Sequence, residues 1–319
     1  MATSAMPILN GDHAHGLISR HCRQLVELQG PVLENTGPEP LRQMELNLRR
    51  LAAGLLQFGA ALQLPPSVSA KKLAKTQRRL ALARDLERLR ERLDTAFLPQ
   101  TPERELRRLK PVLRQLKRER QLAHGHLIEA LRSPGHLEQL AQLQSWLREP
   151  RYTALGEEAL AAWLLEWEPD PAPLLLHPGW WLRDRDEEPA ILADLAERIE
   201  SLDDRLDSLP QPSAGSHRRW RAQLQRSSLL LAELNDLEVL RKAIDDQLRD
   251  GIERTVPQLD WLLEQHRLQC WRQWRELASA LLASPQRQRR PLLRLADRQP
   301  PSGLGRLRAA LLTLAARLG

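Results

Sequence analysis

Two runs of basic side chains in the first half of the chain have the composition of a polyanion-binding surface. Residues 71–120 contain 17 Lys and Arg residues against 7 Asp and Glu residues. Ammonium and guanidinium groups bind phosphate oxygens through charge-assisted hydrogen bonds. A single exposed ion pair contributes only about 0–1 kcal/mol, so binding would require many cations. The candidate binding residues are Arg42, Arg49, Arg50, Lys71, Lys72, Lys75, Arg78, Arg79, Arg104, Arg107, Arg108, Arg114, Lys117 and Arg118.

Helical periodicity arranges most of these cations in two stripes. Residues three or four apart, and seven or eight apart, lie on one face of an α-helix. The first stripe contains Lys71, Lys75, Arg78 and Arg79. The second stripe, in a predicted helix that Pro111 is expected to kink, contains Arg104, Arg107, Arg108, Arg114, Lys117 and Arg118. The alternative interpretation is a solvated helix face that binds no ligand.

No arrangement typical of an enzyme accompanies the basic residues. The pairs His13/His15 and His124/His126 have no Cys or carboxylate beside them at a helical ligand spacing, so no metal site is expected. The sequence has no Ser/His/Asp or Cys/His arrangement, and no glycine-rich phosphate loop, with supporting context. We therefore expect a protein that is not an enzyme and that uses no cofactor.

An internal repeat at an offset of 151 residues predicts the elements that carry these side chains. Residues 80–94 (LALARDLERLRERLD) and 231–245 (LAELNDLEVLRKAID) are identical at 8 of 15 positions. At the same offset a helical apolar stripe occurs twice, as Leu41, Met44, Leu48, Leu51, Leu55 and Phe58, and as Leu192, Leu195, Ile199, Leu202, Leu206 and Leu209. A helix with one apolar face needs partners that bury it.

The predicted fold is all-α, with two pseudo-symmetric four-helix bundles. Leu, Ala, Arg, Glu and Gln, which favour helices, dominate the composition, and alternating β-branched runs are absent. We expect a disordered N-terminus over residues 1–15 and a basic first bundle over residues 16–148. A connection rich in Pro and Trp over 149–190 is expected to lead to a second bundle over 191–319. The two bundles are expected to form one domain.

The formal net charge of +7 is unevenly distributed along the chain. Residues 1–150 carry a net charge of +9, residues 151–260 of −10, and residues 261–319 of +8. This asymmetry indicates a polyanion partner, unless the acidic segment packs beside the basic parts and neutralises them. The acidic stretch 184–207 could instead contact a basic protein partner. No apolar run is long enough for a membrane span and no signal peptide is visible, so a cytoplasmic protein is expected.

The order of these motifs resembles that of the conserved-histidine α-helical domain family, abbreviated CHAD. That family opens its first bundle with H-x-x-R-x-x-x-R-R-L-R, continues with L-G-x-A-R-D, and has L-G-E-L-N-D in its second bundle. The corresponding strings here are RQMELNLRRLA at 42–52, LALARD at 80–85 and LAELNDLEVL at 231–240. The chain departs from the pattern where Arg42 replaces the histidine, and where Glu45 and Ala52 replace arginines.

The resemblance implies non-catalytic binding of inorganic polyphosphate by a basic helical surface and, in the cell, association with polyphosphate granules. Arg49 and Arg50 match family arginines, whereas the second copy of that helix has lost its basic face, so a one-sided site is expected. Four polar residues of the second repeated helix are interpreted as structural, namely Arg84, Asp85, Asn235 and Asp236. Two alternatives stay open: a protein-interaction scaffold with a vestigial polyanion site, and nucleic-acid binding.

Overall fold

The structure is a computed structural model that describes residues 8–166, 172–183, 188–210 and 215–282. The regular secondary structure of these residues is helical, and they contain no β-strand. The all-α class predicted from the sequence is therefore confirmed. None of the described helices is both long and apolar enough to cross a membrane. Residues 1–7 of the predicted N-terminus and residues 283–319 of the predicted second bundle lie outside the described residues.

The described residues form twelve α-helices in chain order. The first five are α1 (Asn10–Leu33), α2 (Pro38–Phe58), α3 (Ala70–Arg92), α4 (Glu103–Arg132) and α5 (Pro134–Arg148). Three short helices follow, α6 (Ala154–Glu157), α7 (Leu160–Glu166) and α8 (Ala172–Leu175). The last four are α9 (Pro189–Asp207), α10 (Gly215–Asp245), α11 (Ile252–Thr255) and α12 (Pro257–Leu282). The predicted binding residues all lie on α2, α3 and α4.

The chain divides into two compact units that are interleaved along the sequence. Of the described residues, the first unit contains 8–166, 204–210 and 244–259, and the second contains 172–183, 188–203, 215–243 and 260–282. The predicted bundles at 16–148 and 191–319 were contiguous, so the division differs from the prediction. Hydrogen bonds within the first unit account for the difference: Ser208 Oγ donates to Gln57 Oε1 (2.9 Å), and the backbone N–H of Gln258 donates to Glu105 Oε2 (3.1 Å).

The predicted apolar stripe of α2 is part of the core of the first unit. Its six members are buried, as the spacing predicts: Leu41, Met44, Leu48, Leu51, Leu55 and Phe58. They pack with apolar residues of α1 and α3, including Ile18 and Leu80. Burying one such side chain contributes about 1.5–3 kcal/mol, so this face fixes the rotation of α2. In the second copy, on α9, Leu195, Ile199 and Leu202 are buried.

The N-terminus differs from the prediction that residues 1–15 are disordered. The helix α1 begins at Asn10, and the Asn10 side chain is buried. Its backbone N–H donates to the Glu158 carbonyl oxygen (2.9 Å), and Tyr152 Oη donates to Asp12 (3.0 Å). Gly11 lies under the Tyr152 ring, where a Cβ atom would come within 2.6 Å of the ring. These partners are about 140 residues away in the chain, so no local pattern signals them.

The predicted connection at 149–190 contains the short helices α6, α7 and α8. In the second unit its Trp180 is buried and stacks on Trp274, with the ring centroids 6.4 Å apart. Trp180 Nε1 donates to the Leu174 carbonyl oxygen (2.7 Å), and the Trp180 carbonyl oxygen accepts from Arg275 (2.7 Å). Trp181 is exposed. The tryptophan at 180 therefore belongs to the core of the second unit.

Candidate functional site

The N-terminal half of α3 presents a group of cations opposite its buried face. Ser69 caps the helix, because its Oγ accepts a hydrogen bond from the Lys72 backbone nitrogen. Leu73, Thr76 and Leu80 are buried and fix which side of α3 faces solvent. The group, called here the α3 cluster, consists of the exposed Lys71, Lys72, Lys75 and Arg78 and the half-buried Arg79.

No carboxylate compensates the charge of the α3 cluster among the described residues. Lys72 Nζ donates to the Pro66 carbonyl oxygen (2.7 Å), and Arg78 Nε donates to the Ala74 carbonyl oxygen (3.3 Å). Both acceptors are neutral backbone groups, so the positive charge remains available to an anion. The cluster therefore concentrates five positive charges on a segment of nine residues.

The exposed face of α4 carries a second group of cations, called here the α4 cluster. All six members are exposed: Arg104, Arg107, Arg108, Arg114, Lys117 and Arg118. Arg107 forms an ion pair with Glu103 (3.2 Å), in which both side chains are exposed. Arg108 donates to the Thr255 carbonyl oxygen (2.9 Å). The helix continues through Pro111 to Arg132, so the whole cluster lies along one helix.

The two clusters lie at different positions along an antiparallel helix pair. Arg120 Nη1 on α4 donates to Glu87 Oε2 on α3 (2.6 Å), and Thr76 on α3 lies 3.4 Å from His136 at the start of α5. A helix rises 1.5 Å per residue, so Lys75 and Arg107 lie about 35–40 Å apart along the pair, whereas the nearest members, Arg79 and Arg118, lie about 15 Å apart. A small anion can therefore contact only one cluster.

The middle of α3 separates the clusters and is internally neutralised. Arg90 pairs with Glu87 (3.3 Å) and Asp94 (3.1 Å). Arg88 pairs with Asp85 (3.3 Å). Because these cations already have carboxylate partners, an anion would have to displace them.

Arg49 and Arg50 contact carboxylates rather than forming an open basic face. Arg49 Nε lies 2.7 Å from Asp204 Oδ2, and Arg50 Nη1 lies 3.2 Å from Asp207 Oδ2. The arginine side chains are 20% and 24% exposed, and that of Asp204 only 4%. These ion pairs are an instance of the alternative that the charge distribution left open, in which the acidic segment neutralises basic residues of the first half. The sequence did not identify these partners, which belong to the C-terminal end of α9.

Arg42, at the position of the family histidine, lies at the exposed start of α2. Its Nε and Nη2 donate to the two carboxylate oxygens of Glu39, at 2.8 and 2.6 Å. Hydrogen bonds from Arg42 and then Gln43 lower the pKa of Glu39 to about 2. The guanidinium thus occupies both carboxylate oxygens within one helical turn. The contacts that the structure shows for Arg42 do not place it beside the α3 cluster or the α4 cluster.

The four residues interpreted as structural occupy different environments. Arg84 Nη2 donates to Asp85 (2.7 Å), and Arg84 Nη1 lies 3.7 Å from Glu45. Glu45 is buried and stands where the family pattern has an arginine. Asp236 is buried, and Asn235 is exposed. The first pair thus extends a charged network from the buried Glu45 of α2 to the more exposed Arg84 and Asp85 of α3.

A buried histidine that the sequence analysis did not single out lies beside Arg50. His21 Nδ1 is 2.9 Å from Asn47 Oδ1, and Asn47 Nδ2 donates to the Gln43 carbonyl oxygen (2.8 Å). Burial lowers the pKa of His21 below its ordinary 6.5, and Arg50 lowers it further, against the opposing effect of the Asn47 hydrogen bond. The imidazole is therefore neutral at pH 7.

Acidification below pH 6.5 is expected to reduce the free energy of unfolding through His21. The unfolded imidazole takes up a proton at a pH at which the folded one is still neutral, so protons favour the unfolded state. The contribution of His21 is complete above pH 6.5 and is lost progressively below it. Melting temperatures measured from about pH 7 to pH 5 should fall less steeply for His21→Asn than for the wild type. An exposed control, His126→Asn, should keep the wild-type slope; equal slopes for all three proteins would contradict the assignment.

Comparison with known proteins identifies the family. A family model described as the CHAD domain matches residues 16–206, more than half of the chain. The chain therefore belongs to the CHAD domain family, some members of which bind polyphosphate. No curated protein matches the chain.

Two solved structures share the fold. The CHAD domain from the plant Ricinus communis is 18% identical, with a TM-score of 0.57, over 87% of this chain and 93% of that chain. PptA from Streptomyces chartreusis is also 18% identical, with a TM-score of 0.54, over 86% of this chain and 98% of that chain. At this identity the likeness extends to the fold alone.

Proposed function

We propose that this protein binds inorganic polyphosphate, or a similar linear polyanion, without catalysing a reaction on it. The observation that carries the proposal is the pair of exposed clusters on α3 and α4. In the part of the chain that the structure describes, carboxylates leave most of their charge uncompensated. Membership of a family in which some proteins bind polyphosphate supports the same ligand class. The ligand contacts would be made by the α3 cluster and the α4 cluster.

The separation of the clusters favours a long ligand over a compact one. Each exposed cation supplies at most about 1 kcal/mol, so affinity must come from many contacts and from released counterions. Two clusters whose facing ends are about 15 Å apart, and whose outer members are more than twice as far apart, can act together only on a chain that reaches both. When one segment of such a chain is bound, the effective concentration of the other segment rises. A linear polyphosphate has this geometry, whereas a nucleotide or a single phosphate does not.

We further propose that the predicted internal repeat underlies the fold, with two four-helix bundles derived from one ancestral unit. The first residues of α2 and α9 are Pro38 and Pro189, which stand at the same 151-residue offset as the repeat. The repeat has diverged in charge, since α9 has Glu200 and Ser201 at the positions of Arg49 and Arg50. Asp204 and Asp207 of α9 pair with these two arginines. Binding is therefore one-sided, by α3 and α4. A cytoplasmic location and association with polyphosphate granules follow from the ligand and remain part of the proposal.

The affinity for polyphosphate is expected to increase steeply with chain length. Triphosphate, which can contact one cluster only, should bind weakly. Reversing the charge of one cluster should have little effect on the binding of triphosphate to the other cluster. Long-chain polyphosphate should bind more tightly, by an avidity of order 10²-fold or more. Calorimetric titrations with triphosphate and long-chain polyphosphate test this. Equal affinity per molecule for the two ligands would contradict simultaneous binding to both clusters.

Competition with single-stranded nucleic acid distinguishes polyphosphate from the nucleic-acid alternative. Stacking of bases on exposed aromatic side chains contributes about 1–3 kcal/mol per base in proteins that bind single strands. The only aromatic residue at positions 71–120, Phe97, is buried, so nucleic acid should bind these clusters through its phosphates alone. At an equal concentration of negative charge, long-chain polyphosphate is therefore expected to displace a labelled oligonucleotide more effectively than the oligonucleotide displaces labelled polyphosphate. An oligonucleotide that displaces polyphosphate more effectively would favour nucleic acid as the ligand.

A further inference from the structure

Three metal-binding side chains converge in the second unit, away from both basic clusters in the sequence. His266 and Cys270 are four residues apart on α12, so they lie one above the other on the same face of the helix. Glu233 approaches them from α10, and its Oε1 lies 2.9 Å from His266 Nε2. A second contact between the helices, from Arg241 to Asp260 (2.8 Å), fixes their antiparallel register. The convergence thus depends on the packing of two long helices.

The distances between the three donor atoms are close to those of a metal site. One carboxylate oxygen, one imidazole nitrogen and the Cys270 sulfur all lie within 4.8 Å of one another. Zinc binds such ligands at about 2.0–2.3 Å, so two ligands on one ion lie at most about 4 Å apart. Small rotations of the side chains would bring the donors to that separation.

We propose that Glu233, His266 and Cys270 form a binding site for Zn²⁺ or a similar thiophilic divalent cation. Thiolate and imidazole ligands favour zinc, whereas magnesium and calcium prefer oxygen ligands. One thiolate and one carboxylate balance the two positive charges of the ion, so the occupied site is neutral. That balance suits a site in which Cys270 is buried and the other two residues are half-buried.

The surroundings of the site leave a coordination position for water. The partial exposure of Glu233 and His266 gives solvent access to a fourth position, as in zinc sites with three protein ligands. The cation nearest in sequence, Arg267, donates to both oxygens of Glu264, at 2.8 and 2.9 Å. Its guanidinium therefore has a carboxylate other than Glu233. The site shares no residue with the polyanion-binding clusters, so it stands or falls independently of them.

Cobalt binding to the full-length chain tests the proposal. The chain has two cysteines, Cys22 and Cys270, and both are free thiols in the structure. Co²⁺ titrated into the reduced, metal-free, untagged protein should give a thiolate-to-cobalt charge-transfer band that saturates at one equivalent. Zn²⁺ should then displace the cobalt and abolish the band. Absence of a band at one or more equivalents of Co²⁺ would overturn the proposal.

Matched variants assign the ligands. Cys270→Ser should abolish the charge-transfer band, and Cys22→Ser, at the other buried cysteine, should leave it unchanged. His266→Gln and Glu233→Gln should each weaken cobalt binding at least about tenfold, since even residues behind the ligands typically contribute 10- to 100-fold. Circular dichroism establishes that each variant remains helical. A band that survives Cys270→Ser, or an affinity that neither Gln variant changes, would contradict this ligand set.

Discussion

Reversing the five charges of the α3 cluster is expected to lower the affinity for long-chain polyphosphate at least about 100-fold at low salt. The variant changes Lys71, Lys72, Lys75, Arg78 and Arg79 to Glu. Each exposed ion pair is worth up to about 1 kcal/mol, and 100-fold corresponds to about 2.8 kcal/mol. The new carboxylates would also repel the ligand. Because four of the positions are exposed and none has a described carboxylate partner, the fold should tolerate the change.

A control variant separates a local site from an effect of net charge. It changes five exposed cations outside the two clusters to Glu, and these are Arg23, Arg148, Arg151, Lys242 and Arg272. The change in net charge is the same in both variants. Fluorescence anisotropy with labelled polyphosphate should give the control an affinity much closer to that of the wild type. If both variants lose affinity equally, binding is set by overall charge and the α3 cluster is not a site.

Asp204→Asn is expected to reduce the free energy of unfolding by about 2–4 kcal/mol, the largest effect on stability that we predict. The carboxylate is buried and contacts Arg49 and Arg50, which are only about a quarter exposed. Removing one partner of a buried ion pair leaves the other charge without compensation, which costs 3–5 kcal/mol when burial is complete. The partial exposure of the arginines reduces this cost. Chemical denaturation of the wild type and the variant measures it.

The effect of burial is separated from the loss of a charge by a second substitution on α9. Asp207→Asn is the matched control, because the Asp207 side chain is more exposed than that of Asp204, 15% against 4%, and pairs with Arg50 (3.2 Å); its destabilisation should be smaller. Identical effects of the two substitutions would contradict the central role of Asp204.

Much of the fold follows from local sequence patterns. The apolar stripe of α2 is buried at all six predicted positions, because residues three and four apart must share one helical face. The same periodicity places the α3 and α4 clusters on exposed faces. Helix boundaries follow from breakers, since α2 begins at Pro38 and α9 at Pro189. These features require only information within about twenty residues of chain.

The parts of the candidate site that the sequence did not reveal depend on distant partners. Arg49 satisfies the family pattern, yet its carboxylate partner Asp204 lies 155 positions later and no periodicity links the two. In the sequence the two basic stripes indicate one binding surface. The antiparallel packing of α3 and α4 instead places their outer ends far apart. His266 and Cys270 had a helical ligand spacing that could have been noticed, but Glu233 joins them only through tertiary packing.

The most direct test of polyanion binding is the salt dependence of the affinity of the unmodified protein for long-chain polyphosphate. Counterion release predicts that the logarithm of the affinity falls linearly with the logarithm of salt concentration, by roughly 0.7 per phosphate contacted on a single strand. We predict a slope of several units for the wild type and a markedly smaller slope when the α3 cluster is reversed. No binding at low salt, or a slope that the reversal leaves unchanged, would contradict the assignment of this surface.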